Sequence, residues 1–171
     1  MSAQRVSTPM TWLITGCSSG FGLALARIVQ ANGHNLIATS RNPGRTPDLV
    51  NEVTGKGGQW LKLNTDDPNC GQIVEGLEEQ GTEIDVLVNS AGFGMSGAVE
   101  SFQEEEVRRV METNFYGPWR LMKAAVPYMR RRRRGMVVNL SSGSGMEPPN
   151  SLGIYGASKA ALDGELPNHC E

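Results

Sequence analysis

Tyr155 and Lys159 stand four residues apart in the segment Ile-Tyr-Gly-Ala-Ser-Lys, residues 154–159. On a helix, side chains at this spacing lie on one face, so the phenol and the ammonium can meet. A cation beside a phenol favours the phenolate and lowers its pKa from about 10 towards the working range of a general acid or base. The pair therefore predicts proton transfer, although by itself it is weak evidence.

A glycine-rich segment, Thr15-Gly-Cys-Ser-Ser-Gly-Phe-Gly22, lies far upstream of this pair. It follows a short apolar run that predicts a buried strand and opens a stretch that predicts a helix. Glycines permit a tight turn and close approach to a pyrophosphate, and a helix N-terminus presents free N–H groups. The alternative is an ordinary turn with a chance glycine triplet. We predict dinucleotide contacts from Thr15, Gly16, Ser18, Ser19, Gly20, Phe21 and Gly22.

Short apolar or β-branched runs alternate with longer amphipathic stretches along the chain. This alternation predicts parallel βαβ units with right-handed crossovers. We place the apolar face of the first helix at Phe21, Leu25, Ile28 and Val29. The predicted strands cover residues 12–15, 35–39, 59–63, 84–88 and 136–140, and the predicted helices cover 20–30, 48–53, 66–80, 102–131 and 151–166.

The longest predicted helix, residues 102–131, begins at a candidate capping box formed by Ser101 and Glu104. Pro118 and Pro127 within it should kink it or divide it into segments. Pro167 should end the last helix for the same reason.

Several motifs in this order resemble the short-chain dehydrogenase/reductase family. They are the glycine loop, Asn89-Ser-Ala-Gly92, Asn114, Ser142 and the Tyr–Lys pair, with thirteen residues from Ser142 to Tyr155 as in that family. The resemblance runs from about Thr11 to Ala161. It implies an α/β fold: a three-layer, doubly wound, Rossmann-like parallel sheet of about five strands in the order 3-2-1-4-5.

The resemblance also implies hydride transfer between a nicotinamide cofactor and a carbonyl or secondary alcohol. Tyr155 would be the acid or base, and Lys159 would lower its pKa and bond the nicotinamide ribose. Ser142 would hydrogen-bond the substrate oxygen, and Asn114 would hold a water that links Lys159 to a proton relay. Taken alone, Ser142 is an ordinary residue of a polar loop, and Asn114 an ordinary residue of a helix surface.

The end of the second strand bears on the choice of cofactor. A carboxylate there would bond both ribose hydroxyls of NAD and repel a 2′-phosphate. This chain has Ser40-Arg41 instead, and an arginine can grip a phosphate bidentately. We therefore expect NADP(H) in preference to NAD(H); the alternative is a solvated Arg41.

The resemblance adds further cofactor contacts. Asn64 stands where the family usually has an aspartate that bonds the adenine amine, so we expect a weaker contact there. Asn89, Ala91 and Gly92 would pass close to the cofactor, although a plain turn at the end of a strand is the alternative.

The formal net charge of −2 over 171 residues gives no bulk attraction to nucleic acid or membranes. The five arginines at 130–134 are better explained as a solvated helix end than as a nucleic-acid patch.

The three cysteines lack metal-like spacing, and we expect no metal. Cys17, inside the glycine loop, is either a tolerated small residue, which we favour, or a redox sensor. The N-terminal segment lacks the apolar core of a secretory signal peptide, so we expect a cytosolic protein.

We expect residues 1–10 to form a disordered lead and residues 11–171 to form one NADP(H)-binding domain. Family members continue past the Tyr–Lys helix with further strands and a substrate lid, whereas this chain ends twelve residues after Lys159. We therefore expect an open edge at strand 136–140 and an incomplete nicotinamide and substrate half. Two alternatives to an enzyme follow: an inactive dinucleotide-binding module, or a truncated product without function. In the family the long helix and the last helix form the dimer interface. The last helix is shortened here, so we expect altered oligomerisation, with a homodimer through the long helix as one possible form.

Overall fold

Five parallel strands form one sheet in the order β3-β2-β1-β4-β5 in the computed structural model, which describes residues 8–164. This confirms the predicted Rossmann-like sheet and its strand order. Residues 1–7 of the predicted lead, and Pro167, lie outside the described residues. The strands are β1 (Thr11–Ile14), β2 (Asn35–Ser40), β3 (Gln59–Lys62), β4 (Val86–Asn89) and β5 (Met136–Asn139).

Six α-helices are found between residues 8 and 164, together with a π-helical segment at Glu112–Tyr116. No helix in that range has both the length and the apolar composition that a membrane crossing requires. The helices are α1 (Gly20–Ala31), α2 (Pro47–Gly55), α3 (Gly71–Glu79), α4 (Glu104–Met111), α5 (Gly117–Arg131) and α6 (Gly153–Gly164).

Neighbouring residues of β1 face opposite sides of the sheet and so belong to two separate apolar cores. Leu13 packs in the core beneath α3 and α5, whereas Ile14 packs in the core beneath α1 and α2. Both side chains are fully buried. Burying one such aliphatic side chain stabilises the fold by about 1.5–3 kcal/mol. The period-2 pattern of the strands thus produces the three layers.

The predicted apolar face of α1 is partly wrong. Phe21 is 82% exposed and Ile28 is 58% exposed, while Ala26 and Val29 are buried. The first turn of α1 stands at the mouth of a cavity, so Phe21 does not meet the sheet.

The helix predicted from residue 66 begins only at Gly71. The Asp67 side chain accepts a hydrogen bond from the Asn69 N–H at 2.8 Å, and the Cys70 N–H bonds the Asp67 carbonyl at 2.9 Å. Such local side-chain bonds offer the backbone an alternative to the helix.

The long helix predicted over residues 102–131 is three consecutive pieces, α4, the π segment and α5. Its capping box lies at Gln103 and Glu106 rather than at Ser101 and Glu104, because the chain is still extended at Phe102. The interruption precedes Pro118, which occupies the first turn of α5 where its missing N–H is no loss. Pro127 lies inside α5, which continues to Arg131.

The arginine run is not uniformly solvated, which corrects another expectation. Arg132 donates two hydrogen bonds to the Glu78 carboxylate, at 2.7 and 3.0 Å, and the two side chains are only 16% and 3% exposed. Glu78 also accepts the Ile84 N–H at 2.9 Å. The pair therefore ties the end of α5 to α3 and to the segment before β4.

Replacing Arg132 with Met would leave the Glu78 carboxylate buried without its cation. We expect this change to lower the free energy of unfolding by about 3 kcal/mol, the usual cost of stranding a buried charge. Urea unfolding followed by circular dichroism measures it. Arg130→Met, at an exposed position of the same run, is the matched control and should change stability by less than about 0.5 kcal/mol. Equal, small losses in both variants would contradict the prediction.

Candidate active site

The glycine loop joins β1 to α1 with two residues in the left-handed region, Gly16 at φ +74° and Gly20 at φ +57°. A Cβ built on Gly16 would lie 2.9 Å from Ala91 Cα, and one built on Gly22 would lie 2.5 Å from the Gly16 carbonyl oxygen. Real Cβ atoms do not approach so closely. Gly16 and Gly22 therefore permit a close approach that any side chain would prevent.

The N-terminus of α1 opens onto this loop. Ser19 occupies the N-cap with extended backbone, and its side chain makes no capping hydrogen bond. The first N–H groups of the helix consequently remain available to a ligand, and the positive end of the helix dipole favours an anion there.

Thr15 ties the ends of β1 and β4 together. Its Oγ1 accepts the N–H groups of Ser90 and Ala91, each at 2.9 Å, and donates to the Val88 carbonyl at 3.3 Å. Asn89 makes the next link in the sheet by donating from Nδ2 to Asn139 Oδ1 at 2.8 Å. Both predicted cofactor residues, Thr15 and Asn89, are buried in the structure and position the walls of the site.

A cavity of about 590 Å³ opens above these strand ends. Its lining contains most of the predicted cofactor residues: Gly16, Ser18, Ser19, Gly20, Phe21, Gly22, Arg41, Asn64, Ala91 and Gly92. The lining also contains residues that the sequence analysis did not assign to the site, among them Asp66, Phe93, Arg109 and Thr113. The four predicted catalytic residues are not part of this lining.

Asp66 brings a carboxylate close to Arg41, which the sequence analysis missed. The Arg41 guanidinium lies 3.9 Å from Asp66 Oδ2 and stays 64% exposed. Thr113 holds the other carboxylate oxygen through a 2.6 Å hydrogen bond from its hydroxyl. Asp66 was predicted to lie in a helix, and nothing in the local pattern indicates that it meets the end of β2.

Arg109 and Phe93 form a second contact that the sequence analysis missed. The guanidinium lies 5.3 Å from the Phe93 ring centroid, within the range of a cation–π interaction. Arg109 and Thr113 are four residues apart, so helical spacing alone would have placed both on one face once either was assigned to the cavity.

Asn114 is fully buried in the π segment. Its Nδ2 donates to the Phe93 carbonyl at 2.9 Å and to Ser158 Oγ at 3.0 Å, and its Oδ1 accepts the Phe93 N–H at 3.1 Å. Ser158 in turn donates to the Tyr155 carbonyl at 2.7 Å. The side chain of Asn114 thus joins the segment after β4 to the helix that carries Tyr155. Single π turns occur often at functional sites.

The structure brings Tyr155 and Lys159 together on α6. Lys159 Nζ lies 5.9 Å from the Tyr155 ring centroid and donates to the Leu140 carbonyl at 2.7 Å. Burial lowers the pKa of Lys159, whose side chain is 6% exposed, while the charge of Asp163 acts in the opposite direction. A buried ammonium beside a phenol is suited to supporting proton transfer.

Ser142 begins a short 3₁₀ turn, Gly143–Gly145, just after β5. Its Oγ accepts the Ser144 N–H at 3.2 Å. The turn packs tightly on α6, since a Cβ on Gly156 would lie 2.5 Å from the Ser144 carbonyl oxygen. Ser142 and Tyr155 therefore belong to two elements in direct contact.

Cys17 is fully buried beneath the glycine loop, with its thiol donating to the Ile14 carbonyl at 3.2 Å. Burial raises the pKa of this thiol to about 12. A neutral, inaccessible thiol is unreactive, which agrees with the packing role and opposes the redox role.

The sequence model of the family described as short chain dehydrogenase matches residues 10–166. The chain belongs to this family. It is 39% identical over 156 residues to the oxidoreductase claN of Passalora fulva, and the aligned region spans 90% of this chain and 71% of that protein.

Solved structures show the same relationship. A short-chain dehydrogenase from Streptomyces avermitilis is 37% identical with a TM-score of 0.85, over 92% of this chain and 58% of that one. A metagenomic short-chain oxidoreductase in complex with NADP is 28% identical with a TM-score of 0.83, over 91% and 72%. The chain spans about half the length of several other curated relatives.

Gly22→Ala would place a methyl group against the Gly16 carbonyl, where backbone cannot move without disturbing the loop. We expect a loss of about 2 kcal/mol in the free energy of unfolding, measured by urea unfolding. Gly76→Ala, in α3 where a Cβ meets nothing within 4 Å, is the control and should stabilise by about 0.5–1 kcal/mol. If Gly22→Ala stabilised the protein as Gly76→Ala does, the tight packing of the loop would be refuted.

Proposed function

We propose that the protein is an NADP(H)-dependent oxidoreductase that interconverts a carbonyl and a secondary alcohol, with Tyr155 as the acid or base. The observation that carries the proposal is the buried Lys159 beside Tyr155, on a helix tied by Asn114 to the segment that follows β4. Proton transfer needs such a pair next to the site of the reaction, and the family resemblance supplies the reaction type.

The residues that would hold the cofactor form a chemically suitable set. The cradle at Gly16 and Gly22 and the uncapped N-terminus of α1 suit a pyrophosphate. Asn64 and Asp66 offer acceptors at the side of the cavity where β3 ends. When bound, the nicotinamide supplies the hydride.

Each catalytic residue has a role that its environment supports. Tyr155 would exchange a proton with the substrate oxygen, and Ser142 would donate a hydrogen bond to the same oxygen. Lys159 would place a positive charge beside the phenol, since its ammonium is held by the Leu140 carbonyl. Asn114 would fix the distance between the segment after β4, through Phe93, and α6, through Ser158.

The proposed preference for NADP(H) rests on Arg41, which follows β2 and lines the cavity. A guanidinium forms strong charge-assisted bonds to phosphate. Asp66 partly offsets this charge at 3.9 Å, so the preference should be moderate. The NADP complex of the metagenomic relative supports the same choice.

A dinucleotide-binding module without turnover is the second candidate. The cavity favours this candidate, because its lining contains most of the predicted cofactor residues and none of the four predicted catalytic residues.

The cytosolic location and the homodimer through the long helix also stay proposals. The exposed Tyr116, which ends the π segment, and Trp119, in the first turn of α5, support the dimer.

Tyr155→Phe removes the phenolic proton and keeps the ring. We expect turnover of carbonyl substrates with NADPH to fall by about 10²–10⁴-fold, the usual contribution of a general acid, while the NADPH dissociation constant stays unchanged. Tyr128→Phe on α5 is the matched control and should leave turnover unchanged. Undiminished turnover in Tyr155→Phe would remove Tyr155 from the mechanism, and NADPH binding without any turnover in the unmodified chain would favour the binding module.

Arg41→Ala tests the cofactor preference. Loss of a charge-assisted bond should weaken NADPH binding by about ten- to a hundredfold and leave NADH binding unchanged. Titration calorimetry measures both cofactors. Arg45→Ala, an exposed arginine that lies outside the cavity lining, is the control. The preference is wrong if the unmodified protein binds NADH as tightly as NADPH.

A further inference from the structure

A third polar residue continues the face of α6 that carries Tyr155 and Lys159. Asp163 lies four residues beyond Lys159 and eight beyond Tyr155, within the described part of the helix. Side chains at these intervals lie on one face of a helix. The proposed mechanism gives Asp163 no role.

Asp163 contacts the segment that contains Ser142. Ser141 Oγ donates to Asp163 Oδ2 at 2.7 Å, and Ser141 is the immediate neighbour of Ser142. At the other end of the same turn, a Cβ on Gly145 would lie 3.0 Å from Asp163 Oδ2. The carboxylate therefore meets both ends of the turn, and the lack of a side chain at Gly145 makes room for it.

Asp163 also supplies the negative charge that opposes the burial of the Lys159 ammonium. Burial lowers the pKa of Lys159, and the Asp163 carboxylate raises it. The Lys159 ammonium donates to the Leu140 carbonyl and lies beside the Tyr155 ring. A Cβ built on Gly92 would lie 3.0 Å from Asn114 Oδ1 and 3.5 Å from Lys159 Nζ, so both atoms lie near Gly92.

We propose that Asp163 is a positioning residue of this site, whose carboxylate holds the Ser141–Ser142 segment against α6, the helix that carries Tyr155 and Lys159. Its negative charge also acts on the Lys159 ammonium. The inference deepens the proposed function and rests on it for its catalytic consequence. The carboxylate acts in two ways, through its hydrogen bond with Ser141 and through its charge on Lys159, and each can be removed separately.

Two substitutions separate the hydrogen bond to Ser141 from the charge of Asp163. Asp163→Asn keeps an oxygen that accepts the Ser141 hydroxyl and removes the negative charge. Ser141→Ala removes the hydroxyl and leaves the charge in place. Asp48→Asn, an exposed aspartate in the first turn of α2, is the control for a generic loss of one negative charge.

The first measurement is the titration of Lys159 by NMR in the full chain labelled at lysine Cε. The chain has four lysines, and Lys159→Arg identifies the signal. We expect Asp163→Asn to lower the pKa of Lys159, because it removes the carboxylate whose charge raises that pKa. Ser141→Ala and Asp48→Asn should leave this titration unchanged.

The second measurement is amide hydrogen exchange of Ser144 and Gly145, whose N–H groups bond to Ser142 at 3.2 and 2.9 Å. Ser141→Ala should speed their exchange severalfold, whereas Asp163→Asn should not. In turnover assays Ser141→Ala should lower kcat by about tenfold without changing the NADPH dissociation constant, because it misplaces Ser142 and not the cofactor. Asp163→Asn should also lower kcat, because it removes a charge that acts on the Lys159 ammonium.

The outcomes decide the inference independently of the proposed function. If the unmodified chain shows no turnover, the proposed function fails. The titration then still tests the effect of the Asp163 charge on Lys159, and hydrogen exchange still tests the Ser141–Asp163 hydrogen bond. Unchanged Lys159 titration in Asp163→Asn overturns the electrostatic role. Unchanged exchange in Ser141→Ala overturns the positioning of the Ser142 segment. If both shifts occur and kcat matches that of the unmodified enzyme, Asp163 is structural only and the inference is also overturned.

Discussion

The close approach of β1 to β4 at their carboxyl ends is the constraint on which the rest of the site depends. Gly16 lies against Ala91 at a distance that leaves no room for a Cβ, and the Thr15 hydroxyl accepts both N–H groups that follow β4. Two strands held this closely leave a cleft above them rather than a filled core. Ligand sites in open parallel sheets form at such places. The glycine loop and the helix that follows it then take their positions from the same contact.

The π segment links the two halves of this cleft. Thr113 bonds Asp66 beyond the end of β3, whereas Asn114, its neighbour, bonds Phe93 and Ser158. A regular α-helix places consecutive side chains about 100° apart, and the local widening of the helix lets both reach their partners. The nucleotide side and the catalytic helix are therefore joined through one turn of backbone.

The parts of this architecture that depend on local pattern could be predicted from the sequence. Periodicity predicts the strands and helices, and the glycine spacing predicts the loop. The family resemblance implies the strand order and the remaining cofactor residues of the cavity lining. Contacts between residues distant in sequence were not readable in this way. Arg132 reaches a carboxylate 54 positions away, and Asp66 meets Arg41 only after two strands have paired. Phe21 was misplaced because apolar periodicity does not reveal which turn of a helix faces a cavity.

The burial of Lys159 has a thermodynamic consequence. Its pKa in the folded state lies below the ordinary value of 10.5 because the ammonium is desolvated. Below that folded-state pKa both the folded and the unfolded chain carry the charge, so the folded state bears the full cost of burying it. As the pH rises towards 10.5 the folded state releases the proton first, and this cost is relieved. Around neutral pH the protein is therefore less stable than it would be if Lys159 kept its ordinary pKa in the folded state.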